Sequence, residues 1–244
     1  MKPSEQALRD ARGFTTDLVS ALGTRLRSAI LYGSAARDEF VPVWSDINIL
    51  LFADEVDAPL LARAAPVLQR YEERRVQPLL LPWGDRMHAA DAFAIELMDM
   101  QDAHVLLGGE EPFEGSMIEM PALRLQAERE LRSRLATLDS RLLWVARDDD
   151  AVGHLLIVAL PSFVTYMRAA LRLGGQNVPP AMRDVIVQAA SVVDAPSTGL
   201  LAALDGRTSP NRWKPQLTDP LVSQYRAAVQ RTASYVDSIE RGLR

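Results

Sequence analysis

The sequence contains no cysteine, which excludes disulfides and any thiolate metal site. Histidine is scarce as well: His88, His104 and His154 are the three in 244 residues, and no two are close enough in sequence to suggest a zinc site. Lysine is reduced to Lys2 and Lys214, with arginine supplying the other cations. Basic charge is in deficit, a net −5, which argues against nonspecific binding to a nucleic-acid duplex. Long apolar runs are missing too. The longest, residues 155–160, is followed by Pro161 and falls far short of the roughly 20 residues a membrane span needs. The first ten residues, MKPSEQALRD, have no apolar core, so no secretory leader is expected. These absences together predict a cytoplasmic protein with no membrane partner and no nucleic-acid partner.

What is present is an ordinary globular composition, 48% hydrophobic and 24% charged, in a chain long enough for one large domain or two modest ones. Apolar residues at helical spacing (Ala7, Leu8, Ala11, Phe14, Leu18, Ala21, Leu22) predict a helix over residues 4–27. A short strand, 29–32, ends at Gly33, and a helical turn over 34–39 leads through Pro42 to a second strand, 46–52. Residues 57–74 read as helix and 75–81 as a third strand, placed at an edge or bulge by Pro78. Residues 83–100 read as largely helical, and 108–115 as a loop that marks the domain boundary. Beyond Pro121 the reading is helical throughout, over 121–147, 151–173, 179–194, 197–205 and 218–242, with a kink or break at Pro161. The predicted class is α+β, with domains at 1–115 and 116–244, the second an all-helical bundle.

The chemistry concentrates in residues 31–52, LYGSAARDEFVPVWSDINILLF. Gly33 between a strand and a helix start lets a phosphate approach the backbone, and the Ser34 hydroxyl adds a donor. A dozen residues later Asp46 and Asn48 share one face of a strand while Ile47, Ile49 and Leu51 take the other. That alternation sets two oxygen ligands toward one divalent ion. Arg37, on the turn after Ser34, is suited to a phosphate or to the open surface. Trp44 is suited either to stack on a base or to shield the sheet edge.

The Gly-Ser turn, the gap and the Asp-x-Asn strand over residues 28–82 resemble the nucleotidyltransferase fold of the DNA polymerase β superfamily, especially its small bacterial and antibiotic-modifying members. The resemblance implies a mixed-sheet N-terminal domain followed by a helical bundle, with Gly33 and Ser34 holding the β- and γ-phosphates of a nucleoside triphosphate. It makes Asp46 a metal ligand and Asn48 the weakened second ligand of the catalytic pair, where the family has aspartate. A third acid is expected on the strand 75–81, where Gln77 or Leu79 stands instead. Each lost charge interaction is worth about 4 kcal/mol at ~4 Å and an effective dielectric near 20. A magnesium ion carried mainly by the triphosphate tolerates this; one that must activate a hydroxyl does not. Magnesium is therefore expected to be bound weakly or not at all.

Replacement acids are available in sequence at Asp85, Glu96, Asp99 and Asp102, most simply read as solvated or capping charges. The resemblance adds Glu128 and Glu130 as counterparts of a general base from the helical domain. Arg147 and His154, flanking a triple-aspartate turn, resemble the ribonuclease motif of HEPN helical domains, although such a turn is usually a helix start. Two functions follow from the resemblance. The first is transfer of a nucleoside monophosphate from a nucleoside triphosphate to a hydroxyl of a small molecule or protein. The second is a catalytically impaired pseudoenzyme that binds nucleotide or a partner protein in the same cleft.

Overall fold

Alternating aliphatic residues build the N-terminal sheet. Ile47, Ile49, Leu51 and Ala53 of strand β2 (Ile47–Ala53) are buried in one cluster with Ala29 and Leu31 of β1 (Leu26–Tyr32). That cluster is closed by helix α1 (Pro3–Leu22), through Ala7, Ala11, Phe14, Leu18 and Leu22, and by α2 (Ala58–Arg70), through Leu60 and Val67. Leu50 and Phe52 of β2 and Ile30 of β1 point the opposite way, onto Leu97 and Met100 of helix α3 (Ala94–Asp102). Both faces of β2 are therefore covered, which is why it reads as a nearly unbroken apolar run.

The computed structural model describes residues 2–86, 93–115, 117–209 and 212–242, and it divides into two compact units, Met1–Ile118 and Glu119–Arg244. The first holds a four-stranded mixed sheet of order β3-β2-β1-β4, with β3 at Val76–Pro82 and β4 at His104–Gly109. β1 runs antiparallel to both β2 and β4, while β2 and β3 are parallel. β3 is an edge strand, so Pro78, which has no N–H to donate, is accommodated there as expected.

The structure corrects several sequence expectations. Residues 83–100 are not one helix: Trp83–Arg86 form a 3₁₀ turn and α3 begins at Ala94. Residues 87–92, including His88, lie outside the described residues. Gly108 and Gly109, read as the start of a loop, end β4 and pair with Ala29 and Ser28. The helical turn expected over 34–39 is a 3₁₀ turn confined to Gly33–Ala35.

The second unit consists of α4 (Met120–Trp144), α5 (Asp149–Leu173), α6 (Met182–Val192), α7 (Thr198–Thr208) and α8 (Pro220–Gly242). The triple-aspartate turn starts a helix: the Asp148 carboxylate accepts from the Ala151 N–H at 3.0 Å, and Asp149 and Asp150 fill the first turn. α5 is long and apolar enough to cross a membrane, but 61% of its most apolar stretch is buried within the structure. It continues without a break through Pro161, because burial on both sides, from Val152 to Leu171, outweighs one missing backbone hydrogen bond. Arg226 of α8 grips Asp139 of α4 bidentately, with both N–H···O distances at 2.6 Å.

Candidate functional site

The turn after β1 and the start of β2 are brought together by strand pairing. Tyr32 stands opposite Asn48 on β2 and opposite His104 on β4, and Asn48 stands beside Gln77 on β3. Cross-strand partners share a face. His104, Tyr32, Asn48 and Gln77 thus form a transverse polar row on the α3 side of the sheet. Gly33 closes the row at φ +73°, and a Cβ placed on it would stand 3.1 Å from Asn48 Nδ2. Glycine is needed there for the backbone conformation and for the approach of the Asn48 amide. A single 3₁₀ turn follows, with Ala36 and Arg37 N–H donating to the Gly33 carbonyl at 3.1 and 3.2 Å. The macrodipole expected from a helix at this point is therefore small, since few peptide units are aligned.

Asp46 precedes β2 and is half-exposed. Its Oδ1 accepts from Arg75 Nε at 2.9 Å, and Arg75 Nη1 donates to the carbonyls of Val43 (3.0 Å) and Pro42 (3.4 Å). Ser45 is buried, its hydroxyl accepting from the Val41 N–H at 3.1 Å, which fixes the turn ahead of Asp46. Trp44 lies half-buried in that turn, its N–H donating to the Val41 carbonyl at 2.9 Å.

Arg37 is neither on the open surface nor directed outward. Its Nη2 donates to Asp99 Oδ1 at 2.9 Å and to the Asp99 carbonyl at 3.0 Å, and the two side chains are only 7% and 13% exposed. Asp99 and Glu96, expected as solvated charges, instead act on Tyr32. Burial pushes the Tyr32 phenol up to about 12, with the carboxylates of Glu96 and Asp99 adding to the effect. In the unfolded chain the phenol titrates near ~10, so Tyr32 favours the folded state fully below that pH, and the contribution is lost as pH rises through about 12. An ultraviolet phenolate titration of the protein minus that of Tyr32→Phe is expected to show this proton leaving near 12; a step at the ordinary tyrosine value contradicts the placement.

The remaining candidate acids are paired or exposed. Glu128 is paired with Arg124 and Arg132, and Glu130 with Arg134 and, at 3.4 Å, with the Tyr166 hydroxyl. Asp85 is exposed in the 3₁₀ turn after β3, and Asp102 is exposed at the end of α3. His104 has Nδ1 2.8 Å from the Met100 carbonyl and Nε2 3.2 Å from Glu111 Oε2. Arg147 lies in the turn before α5 and His154 on its exposed side. The two residues that sequence reading passed over are Tyr32 and Arg75. Tyr32 had a signal, since it directly precedes the phosphate-type glycine; Arg75 had none.

No protein-family model matches the sequence, and no curated protein matches it. Among solved structures the chain is similar to spectinomycin adenyltransferase AAD(9) from Enterococcus faecialis, solved with ATP and spectinomycin. That likeness covers 96% of this chain and 99% of that one, with a TM-score of 0.59 at 11% identity. The fold is of nucleotidyltransferase type.

A nucleotidyltransferase-type fold implies a divalent metal, and the residues present here fit one poorly. Of the three positions that the resemblance assigns to carboxylates, Asp46 is bound to a guanidinium and Asn48 turns its amide nitrogen toward Gly33. The third falls on β3, where Gln77 and Leu79 flank Pro78 and both are exposed. Among the described residues no group of three or more His, Asp or Glu side chains is arranged to hold a metal ion. Of those three positions one keeps a carboxylate, and that carboxylate is already paired with a cation, so the protein contributes little charge to a divalent ion there.

Proposed function

We propose that the chain is a nucleotidyltransferase-fold protein of the cytoplasm that binds a nucleoside triphosphate and does not transfer its nucleotidyl group at an enzymatic rate. The observation that carries this reading is the neutral row Tyr32–Asn48–Gln77 beside an Asp46 that is already salt-bridged. In-line transfer through two metal ions needs carboxylates there to hold the ion that activates the attacking oxygen. The nucleotide arm is supported by the positive-φ Gly33 followed by Ser34, a glycine–serine turn of the kind at which a phosphate approaches the backbone. It is supported also by the likeness to AAD(9), whose structure contains ATP. On this reading Arg37 serves the site by fixing α3 against the turn rather than by contacting phosphate.

Calorimetric titration of the four nucleoside triphosphates, followed by incubation with α-labelled nucleotide and spectinomycin as a trial acceptor, tests the reading. Saturable binding without label transfer is expected. Transfer that disappears in Asp46→Ala restores the enzyme reading, and absence of binding for all four removes the nucleotide.

A further inference from the structure

Arg75 stands one residue before β3 with φ +57° and ψ +37°, the left-handed region that a non-glycine residue seldom occupies. Two backbone hydrogen bonds hold it there: its N–H donates to the Glu72 carbonyl and its carbonyl accepts from the Ile47 N–H, both at 3.0 Å. Because Ile47 is in register with Val76, the residues just ahead of them, Asp46 and Arg75, lie side by side. The side chain turns back over the start of β2, so that its guanidinium is surrounded by one carboxylate oxygen and two backbone carbonyls, from Asp46, Val43 and Pro42. Carboxylate and carbonyl oxygens are the donors a hard divalent ion takes. Here a covalently attached cation takes them, and Asn48 and the acid-free strand β3 add no further carboxylate.

We infer that Arg75 is a built-in counter-ion standing in for the divalent metal on Asp46, so that the phosphate of a nucleotide binds at this end of the sheet without a metal ion. The nucleotide part rests on the function proposed above; the displacement of metal by Arg75 does not. The lone carboxylate is neutralised within the chain, and a divalent ion approaching it meets a fixed positive charge first.

The test uses the full chain and terbium(III), whose emission is sensitised by a nearby indole; Trp44 is two residues from Asp46. Wild-type protein is expected to give no emission that depends on Asp46, judged against Asp46→Asn. Arg75→Gln is expected to acquire the saturable terbium emission that wild-type protein lacks, and to lose it in the double variant Arg75→Gln/Asp46→Asn. Arg75→Lys keeps a cation but not the fork, and is expected to stay close to wild type. Asp46-dependent terbium binding by wild-type protein overturns the inference, as does a folded Arg75→Gln that gains none. If Arg75→Gln does not fold, the wild-type and Arg75→Lys titrations decide by the same criterion. In parallel, ATP affinity is measured in magnesium and in EDTA. Equal affinity within about twofold is expected, and magnesium-dependent tightening that Asp46→Asn removes overturns it. Absence of ATP binding in both buffers defeats the nucleotide reading alone, and the terbium result then stands by itself.

Discussion

Arg37→Met is expected to destabilise the N-terminal unit by about 4 kcal/mol, because it leaves the Asp99 carboxylate buried without its cation. The pair is nearly enclosed, and the guanidinium bonds both the side chain and the backbone carbonyl of Asp99. It joins the turn after Gly33 to α3, the helix that covers the Tyr32 and Asn48 face of the sheet. A chain of two compact units has no single unfolding free energy, so the measurement is amide hydrogen exchange resolved along the chain. Protection in β1, β2 and α3 is expected to fall by roughly a thousandfold, while that of α5 and α8 stays unchanged. The double variant Arg37→Met/Asp99→Leu is expected to recover most of the loss, because an apolar pair of similar volume carries no desolvated charge. Wild-type protection in the single variant contradicts the burial of the pair.

Gly199→Ala is the second large effect, and it falls on the helical unit. A Cβ on Gly199 in α7 would lie 2.2 Å from the Leu221 carbonyl oxygen and 2.4 Å from the Tyr225 nitrogen in α8. Both are backbone atoms, so no rotamer change relieves the contact and the two helices must separate. Separation disturbs Tyr225, which is fully buried, stacked edge-on to Phe163 and hydrogen-bonded through its hydroxyl to the Leu156 carbonyl at 3.1 Å. A cost of about 3 kcal/mol is expected from overpacking of this kind. It is read as lost exchange protection in α5, α7 and α8, with the N-terminal sheet unaffected. A variant indistinguishable from wild type means that α7 and α8 are not packed backbone to backbone.

How far the sequence revealed this depends on whether the information was local. β1, β2 and β3 are legible because aliphatic runs are bounded by Gly33, Asp46 and the Pro82 turn, and Pro78 places β3 at an edge. β4 was hidden: its six residues, HVLLGG, end in a glycine pair that reads as a loop, and only pairing with β1, far earlier in the chain, makes them a strand. The helices of the second unit follow from apolar periodicity and proline breaks, except that Pro161 interrupts nothing. At the site, Gly33, Asp46 and Asn48 are visible because their order and spacing form a pattern. Asp99 and Glu96 looked like solvent-facing charges because helical spacing says which residues share a face, not what that face meets. Arg75 is one arginine among many, and only its left-handed backbone and the parallel register of β2 and β3 aim it at Asp46.

The central proposal is that this chain of nucleotidyltransferase-type fold binds a nucleoside triphosphate without carrying out metal-dependent transfer. The most direct measurement is release of labelled pyrophosphate from ATP in excess magnesium, which records nucleotidyl transfer to any acceptor, water included. The expected result is a rate for wild-type protein that equals that of Asp46→Ala. A wild-type rate well above the Asp46→Ala background, rising with magnesium, contradicts the account.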